Sequence, residues 1–119
     1  RLEFLKEVRK KVRLGGYFFL DVNNFYYYRY GRLRSLFRVI QDKLSPPKSF
    51  GSGDLFFHMN VGANQVSCSG HIFRPSEIVS LVKRSGFLVE KIKFIDYENG
   101  KLSDFYYSGQ ISILCRNPC

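Results

Sequence analysis

The segment HIFRPSEIVSLVKRSGFLVEKI, residues 71–92, changes its apolar period halfway along. In its first part Ile78, Leu81 and Val82 form one stripe at helical spacing. Pro75 fits the first helical position, where its missing N–H costs nothing, and Glu77 falls in the first turn, where the helix dipole favours a negative charge. Gly86 is placed to end the helix. In LVEKIKFIDY, residues 88–97, Val89, Ile92 and Phe94 alternate, roughly, with Glu90, Lys91 and Lys93, and the segment reads as a strand. Asn99-Gly100 is a strong turn dipeptide. GQISILCRN, residues 109–117, reads as the last strand. With no helix between them, the last two strands are expected to pair antiparallel.

Upstream, RLEFLKEVRKKVRLGG places Leu5, Val8 and Val12 on one face and Lys6, Arg9, Lys10 and Arg13 on others, an amphipathic helix expected to stop at Gly15 and Gly16. YFFLDVN, residues 17–23, is short and apolar on both faces until Asp21, and is expected to be a strand buried on both sides of an α/β sheet. Asn24 is suited to cap a following helix over residues 25–44, in which Leu33, Phe37, Ile40 and Leu44 share a stripe and Arg34 and Arg38 share an exposed face. Gly31 is a point where that helix can bend or break. SPPKSFGSGD, residues 45–54, is a loop. LFFHM, residues 55–59, suggests a short strand, and residues 60–70 a loop or irregular hairpin. The fold class is therefore α/β, with residues 1–119 as one domain; there is no room for two.

The composition is that of a globular chain, 45% hydrophobic and 24% charged, too apolar for a disordered tail. Net charge is +9, which favours anionic partners such as nucleic acid or phosphorylated metabolites, and equally a solvated basic face. Three cysteines without a CxxC spacing argue against a disulfide framework and a zinc site, and suit a reducing cytoplasm. No apolar run approaches the ~20 residues that span a bilayer, and no segment has the form of a signal peptide. The first residue is Arg1, which reads as a processed form or a fragment of a longer chain.

Three segments together resemble class I S-adenosylmethionine-dependent methyltransferases. KVRLGGYFFLDVNN is similar to the passage that leads into and forms their fifth strand. HIFRPSEIVSLVKRSGFLVEKI resembles the late helix and strand six. GQISILCRNP, with Arg116 and Pro118, resembles the closing strand seven. The resemblance spans most of the chain and implies a partial Rossmann-like sheet in which the last strand lies antiparallel between strands five and six, flanked by helices. It implies the C-terminal, acceptor-side half of such a domain. The family's cofactor half, with a Gly-rich turn after strand one and an acidic residue ending strand two, has no counterpart here: Gly51-Ser52-Gly53 sits in a Pro/Ser loop without a strong strand before it. S-adenosylmethionine is thus expected as cofactor of the full-length protein only, and the fragment is expected to be inactive. Arg74 stands at the helix cap where the family often has Thr or Ser.

Asn23 and Asn24 occupy the carboxyl end of the presumed strand five, where the family's ligands sit, and are candidates to face a methyl acceptor; turn and cap chemistry is the simpler account of them. His71, where many relatives carry a His, is the candidate general base, against a structural or exposed role. Tyr26, Tyr27, Tyr28 and Tyr30 interleave with Arg29, Arg32 and Arg34. Tyr27 and Arg29 are candidates to face the substrate, a small-molecule or anionic acceptor, and the segment suits a lid over a lipid or aromatic acceptor. The same segment suits stacking on RNA or single-stranded DNA, or a half-buried helix face. His58 reads as structural, and two His without neighbouring Cys or carboxylate clusters make no metal site. A strand five without its usual neighbour leaves an apolar edge at residues 17–22, expected to recruit a second copy as a homodimer.

Overall fold

The computed structural model describes residues 1–27, 31–45, 53–105 and 108–119. Its centre is β6 (Gln110–Arg116), which is buried at Ile111, Ser112, Ile113 and Cys115. β6 pairs antiparallel with β1 (Tyr17–Val22) on one side and with β4 (Leu88–Ile95) on the other. β1 and β4 therefore run parallel to each other. A two-residue β5 (Leu102–Ser103) adds to β4, giving the order β1-β6-β4-β5. The expected antiparallel pairing of the last two long strands is present, and the turn between β4 and β5 carries Asn99 and Gly100.

The rough alternation of β4 has a physical cause. Its register against β6 shifts between Val89 and Lys91, so that Glu90 is an extra residue and Val89, Ile92 and Phe94 all reach the same face. That face meets Ile111, Ile113 and Cys115 of β6 and Phe18, Leu20 and Val22 of β1. It is covered by α1 (Leu2–Lys11) through Leu5 and by α3 (Pro75–Arg84) through Ile78 and Val82, with Phe87 stacked on Phe18 at 5.6 Å. Each such side chain, fully buried, contributes roughly 1.5–3 kcal/mol. The Cys115 thiol is pushed up to about 11 by burial and stays protonated and inert.

Several expectations are corrected. β1 is not buried on both sides: it is an edge strand, and Tyr17 and Phe19, on the face away from α1 and α3, are 63% and 57% exposed. α1 stops at Lys11 rather than at the glycines, because Val12 is already extended and packs toward the core. α2 covers Arg32–Leu44 rather than residues 25–44. Asn24 does not cap it; its Oδ1 accepts from Tyr26 N at 3.0 Å in a local turn. Phe25 N donates to Phe73 O, and Gly31 holds φ +114, which no helix uses. The apolar stripe of α2 faces outward, with Leu33 and Leu44 more than 80% exposed. Arg34 is exposed as expected, but Arg38 turns in over the Phe25 ring at 4.4 Å. Residues 55–70 form one regular hairpin, β2 (Asp54–Val61) with β3 (Asn64–His71), turning at Gly62 and Ala63. It is exposed on both faces almost throughout, so its own pairing does not hold it in place. No helix among the described residues is long and apolar enough to cross a membrane.

Candidate functional site

The parallel strands β1 and β4 end on the same rim of the sheet. Beyond β1 come Asn23 and Asn24; beyond β4 comes Tyr97, whose hydroxyl donates to Asn23 Oδ1 at 2.9 Å. Tyr27 is buried and meets the Tyr97 ring edge-on at 4.9 Å. The chain leaving β3 joins the same rim: Phe73 N donates to Asn23 O and Phe25 N to Phe73 O, both at 2.8 Å. Gly109 closes the floor. A side chain there would meet Ile95 O at 1.9 Å, so only glycine allows this approach. The Gly109 carbonyl accepts from Asn24 Nδ2 at 2.9 Å.

The fold thus brings together three of the candidate residues, Asn23, Asn24 and Tyr27, and sets His71 beside them through Phe73, whose ring it meets at 4.4 Å. They are not equally accessible. Asn23 is exposed, whereas Asn24 is completely buried with both ends of its amide bonded to the backbone. Arg29, with Tyr28 and Tyr30, lies outside the described residues. His58 sits on the exposed hairpin near Ser67 Oγ at 3.2 Å.

His71 lies at the base of the hairpin, its side chain 5% exposed. Nδ1 is 2.6 Å from Asp54 Oδ1 and Nε2 is 2.7 Å from Glu77 Oε1. Through its two nitrogens the ring thus bridges a carboxylate of β2 and one in the first turn of α3. Glu77 Oε2 also accepts from Arg74 N at 3.4 Å, which offsets the absence of Ser or Thr at that cap. His71 hydrogen bonding and then Arg1 hold the Asp54 carboxyl below its usual range. A depressed carboxylate adds stability that is present above its unfolded value of about 3.9 and is lost as pH falls through the lower folded one. Asp54→Asn should therefore lose a small, solvent-screened contribution that the parent has near neutrality, and should converge with the parent as pH falls below about 4; thermal melts across that range check this.

A second cluster flanks the rim. Arg74 Nε donates to Asp42 Oδ2 at 2.6 Å, the Tyr26 hydroxyl donates to the same oxygen at 2.5 Å, and the Arg74 guanidinium lies 3.9 Å over Phe25. Burial, and then the Asp42 contact, raise the Tyr26 phenol well above its ordinary value. This cluster ties α2 to the cap of α3. Sequence reading missed Tyr97, Asp54, Glu77 and Asp42 as rim residues. Tyr97 had a usable signal, a polar aromatic just past a strand; the carboxylates did not, since their partners come from distant elements.

The described residues do not fit a nucleoside cofactor. No strand among them runs through a glycine-rich turn into a helix, and Gly53 is pressed against Ile72 O. Asp96, the acid after β4, accepts from the N–H groups of Glu98 and Asn99 in its own turn. No three His, Cys, Asp or Glu side chains among the described residues converge as a metal site.

No protein-family profile matches the chain, and no curated protein sequence matches it. Its fold is similar to that of a solved structure, an S-adenosylmethionine-dependent methyltransferase from Clostridium acetobutylicum ATCC 824, with a TM-score of 0.54 and 14% identity. The similarity covers 99% of this chain and 51% of the other, so the chain spans about half the length of that protein.

Proposed function

We propose that this chain is the acceptor-side, C-terminal part of a class I methyltransferase domain, with β1, β6 and β4 as strands five, seven and six. The observation that carries the reading is the closing strand set antiparallel between two parallel ones, in a fold like that of the Clostridium protein. On this reading the full-length protein moves a methyl group from S-adenosylmethionine to a small or anionic acceptor. The acceptor rests at the rim where β1 and β4 end, facing Asn23, with Asn24 and Tyr27 shaping the rim from beneath. The reading is of a cytoplasmic protein whose β1 edge takes a second copy.

The base role proposed for His71 needs a nitrogen free to accept a proton. With both nitrogens facing carboxylates, a positioning role is the better supported one: His71 pins the hairpin and holds Phe73 against Asn23.

The reading is tested by titrating this chain with S-adenosylmethionine in a calorimeter. No saturable heat is expected below about 1 mM; sub-millimolar binding would place the cofactor site on this half and overturn the assignment. A second reading, a module that holds RNA or single-stranded DNA through residues 26–34, draws on the net charge of +9. Tyr27 is buried there and Tyr26 half-buried, which leaves Arg32 and Arg34 as its exposed described cations.

A further inference from the structure

The first 16 residues carry six Lys or Arg against two Glu, and the fold gathers these cations beside the end of α3. Between α1 and α3 runs a groove of about 720 Å³, lined by Lys6, Arg9, Lys10, Arg13 and Arg84. No Asp or Glu lines it among the described residues. Basic residues at helix C-termini often serve only to offset the dipole and the last carbonyls. Here that work is done by other groups. Asn117, buried, donates from Nδ2 to Arg9 O and Val12 O at 3.3 and 2.7 Å. Ser85 Oγ donates to Val82 O at 2.6 Å, and Gly86 N to Lys83 O at 3.0 Å.

The cations divide by role. Arg9 is fixed in the wall, with Nε on Asn117 Oδ1 at 3.0 Å and its guanidinium against Gly86. Lys6 and Lys10 bond Glu3 and Glu7, three residues back along α1. The Arg13 and Arg84 side chains are exposed and have no ion-pair or hydrogen-bond partner among the described residues. The charges recur about once per turn, roughly every 5 Å along α1, instead of converging on a point. That spacing suits an extended polyanion better than a single phosphate.

We propose that this groove binds the phosphodiester backbone of RNA without reading its bases. No aromatic side chain among the described residues lines it, so they offer no platform on which a base would stack. An anionic membrane fits less well, because the apolar stripe of α1 (Leu5, Val8, Val12) is turned into the core and only Leu14 stands free at the groove. The proposal is independent of the methyltransferase reading, and its test does not depend on S-adenosylmethionine.

The test is fluorescence anisotropy of the whole chain with a labelled oligouridine, across a salt series. Four phosphate contacts give a slope of log K against log salt of about −3. Arg13→Glu with Arg84→Glu is expected to weaken binding at least about tenfold and to reduce the slope by about half, with the circular dichroism unchanged. Lys91→Glu with Lys101→Glu, exposed charges away from the groove, is expected to leave binding within about twofold. Binding that survives the Arg13 and Arg84 reversals but is lost in Arg32→Ala with Arg34→Ala would move the site to α2 and overturn the proposal. So would the absence of binding at low salt, or binding confined to phosphatidylserine vesicles.

Discussion

Glu77→Ala should lower stability by about 3 kcal/mol, or roughly 10 °C in Tm for a chain of this size. Glu77 is 2% exposed and serves two partners, His71 Nε2 at 2.7 Å and Arg74 N at 3.4 Å. Its removal strands a buried imidazole N–H, uncovers an N-terminal amide of α3 and takes a negative charge from the favourable end of the helix dipole. Asp54 bonds the same ring from the other side but is 42% exposed, where water replaces a lost partner, so Asp54→Ala should cost much less than Glu77→Ala. Glu77→Gln retains an acceptor and should fall between the two. Chemical denaturation of the three variants orders them, and equal losses from Glu77→Ala and Asp54→Ala would show that the ring is not anchored from within. Hydrogen exchange adds a local readout: with the latch cut, the amides of β3 should exchange faster while those of β6 do not.

The elements that bury an apolar face were legible in the sequence. α1, α3, β4 and β6 each carry side chains at a period that one face of the sheet requires, and Phe18, Leu20 and Val22 do the same for β1. Even the irregular spacing of Val89, Ile92 and Phe94 was a signal, left by the bulge at Glu90. β3 was not legible, because NQVSCSGH buries almost nothing and its strand character comes from its partner. The start of α2 was obscured for a different reason. Residues 24–27 carry no Gly or Pro to exclude a helix, but Asn24 and Phe25 are held by Gly109 and Phe73, contacts from far along the chain. At the rim, Asn23 and His71 could be picked out by residue type and position. What each does was set by Tyr97, Asp54 and Glu77, which only the tertiary fold brings near. The open face at Tyr17 and Phe19 ran against the sequence pattern altogether: apolar residues there read as buried on both sides, yet no described residue covers the second.

That open face governs the second large effect, expected for Phe87→Ala. Phe87 is 2% exposed, stacks on Phe18 at 5.6 Å and sits where α3 passes into β4, so its loss opens a cavity shared by a helix and two strands. Such truncations cost about 3–5 kcal/mol, and the aromatic pair adds a coupling of roughly 1 kcal/mol that a cycle with Phe18→Leu would isolate. The accessible surface is 8140 Å², against about 6,700 Å² for a folded monomer of this mass. The excess is roughly 1,500 Å², nearly twice the ~800 Å² that one partner contributes to a standard interface. A chain so poorly covered should sit near the lower end of the 5–15 kcal/mol range, which leaves the variant with about 1 kcal/mol or none. Thermal and urea melts should then show Phe87→Ala largely unfolded at low protein concentration. If a second copy pairs along β1, raising the concentration should restore part of the folded signal and lift Tm in the parent chain too, since association stabilises only the folded form. A Tm independent of concentration, with a monomer in sedimentation equilibrium, would leave the β1 edge bare and remove the homodimer from the reading. A variant that melts like its parent would mean instead that the Phe87–Phe18 stack does not hold α3 to the sheet.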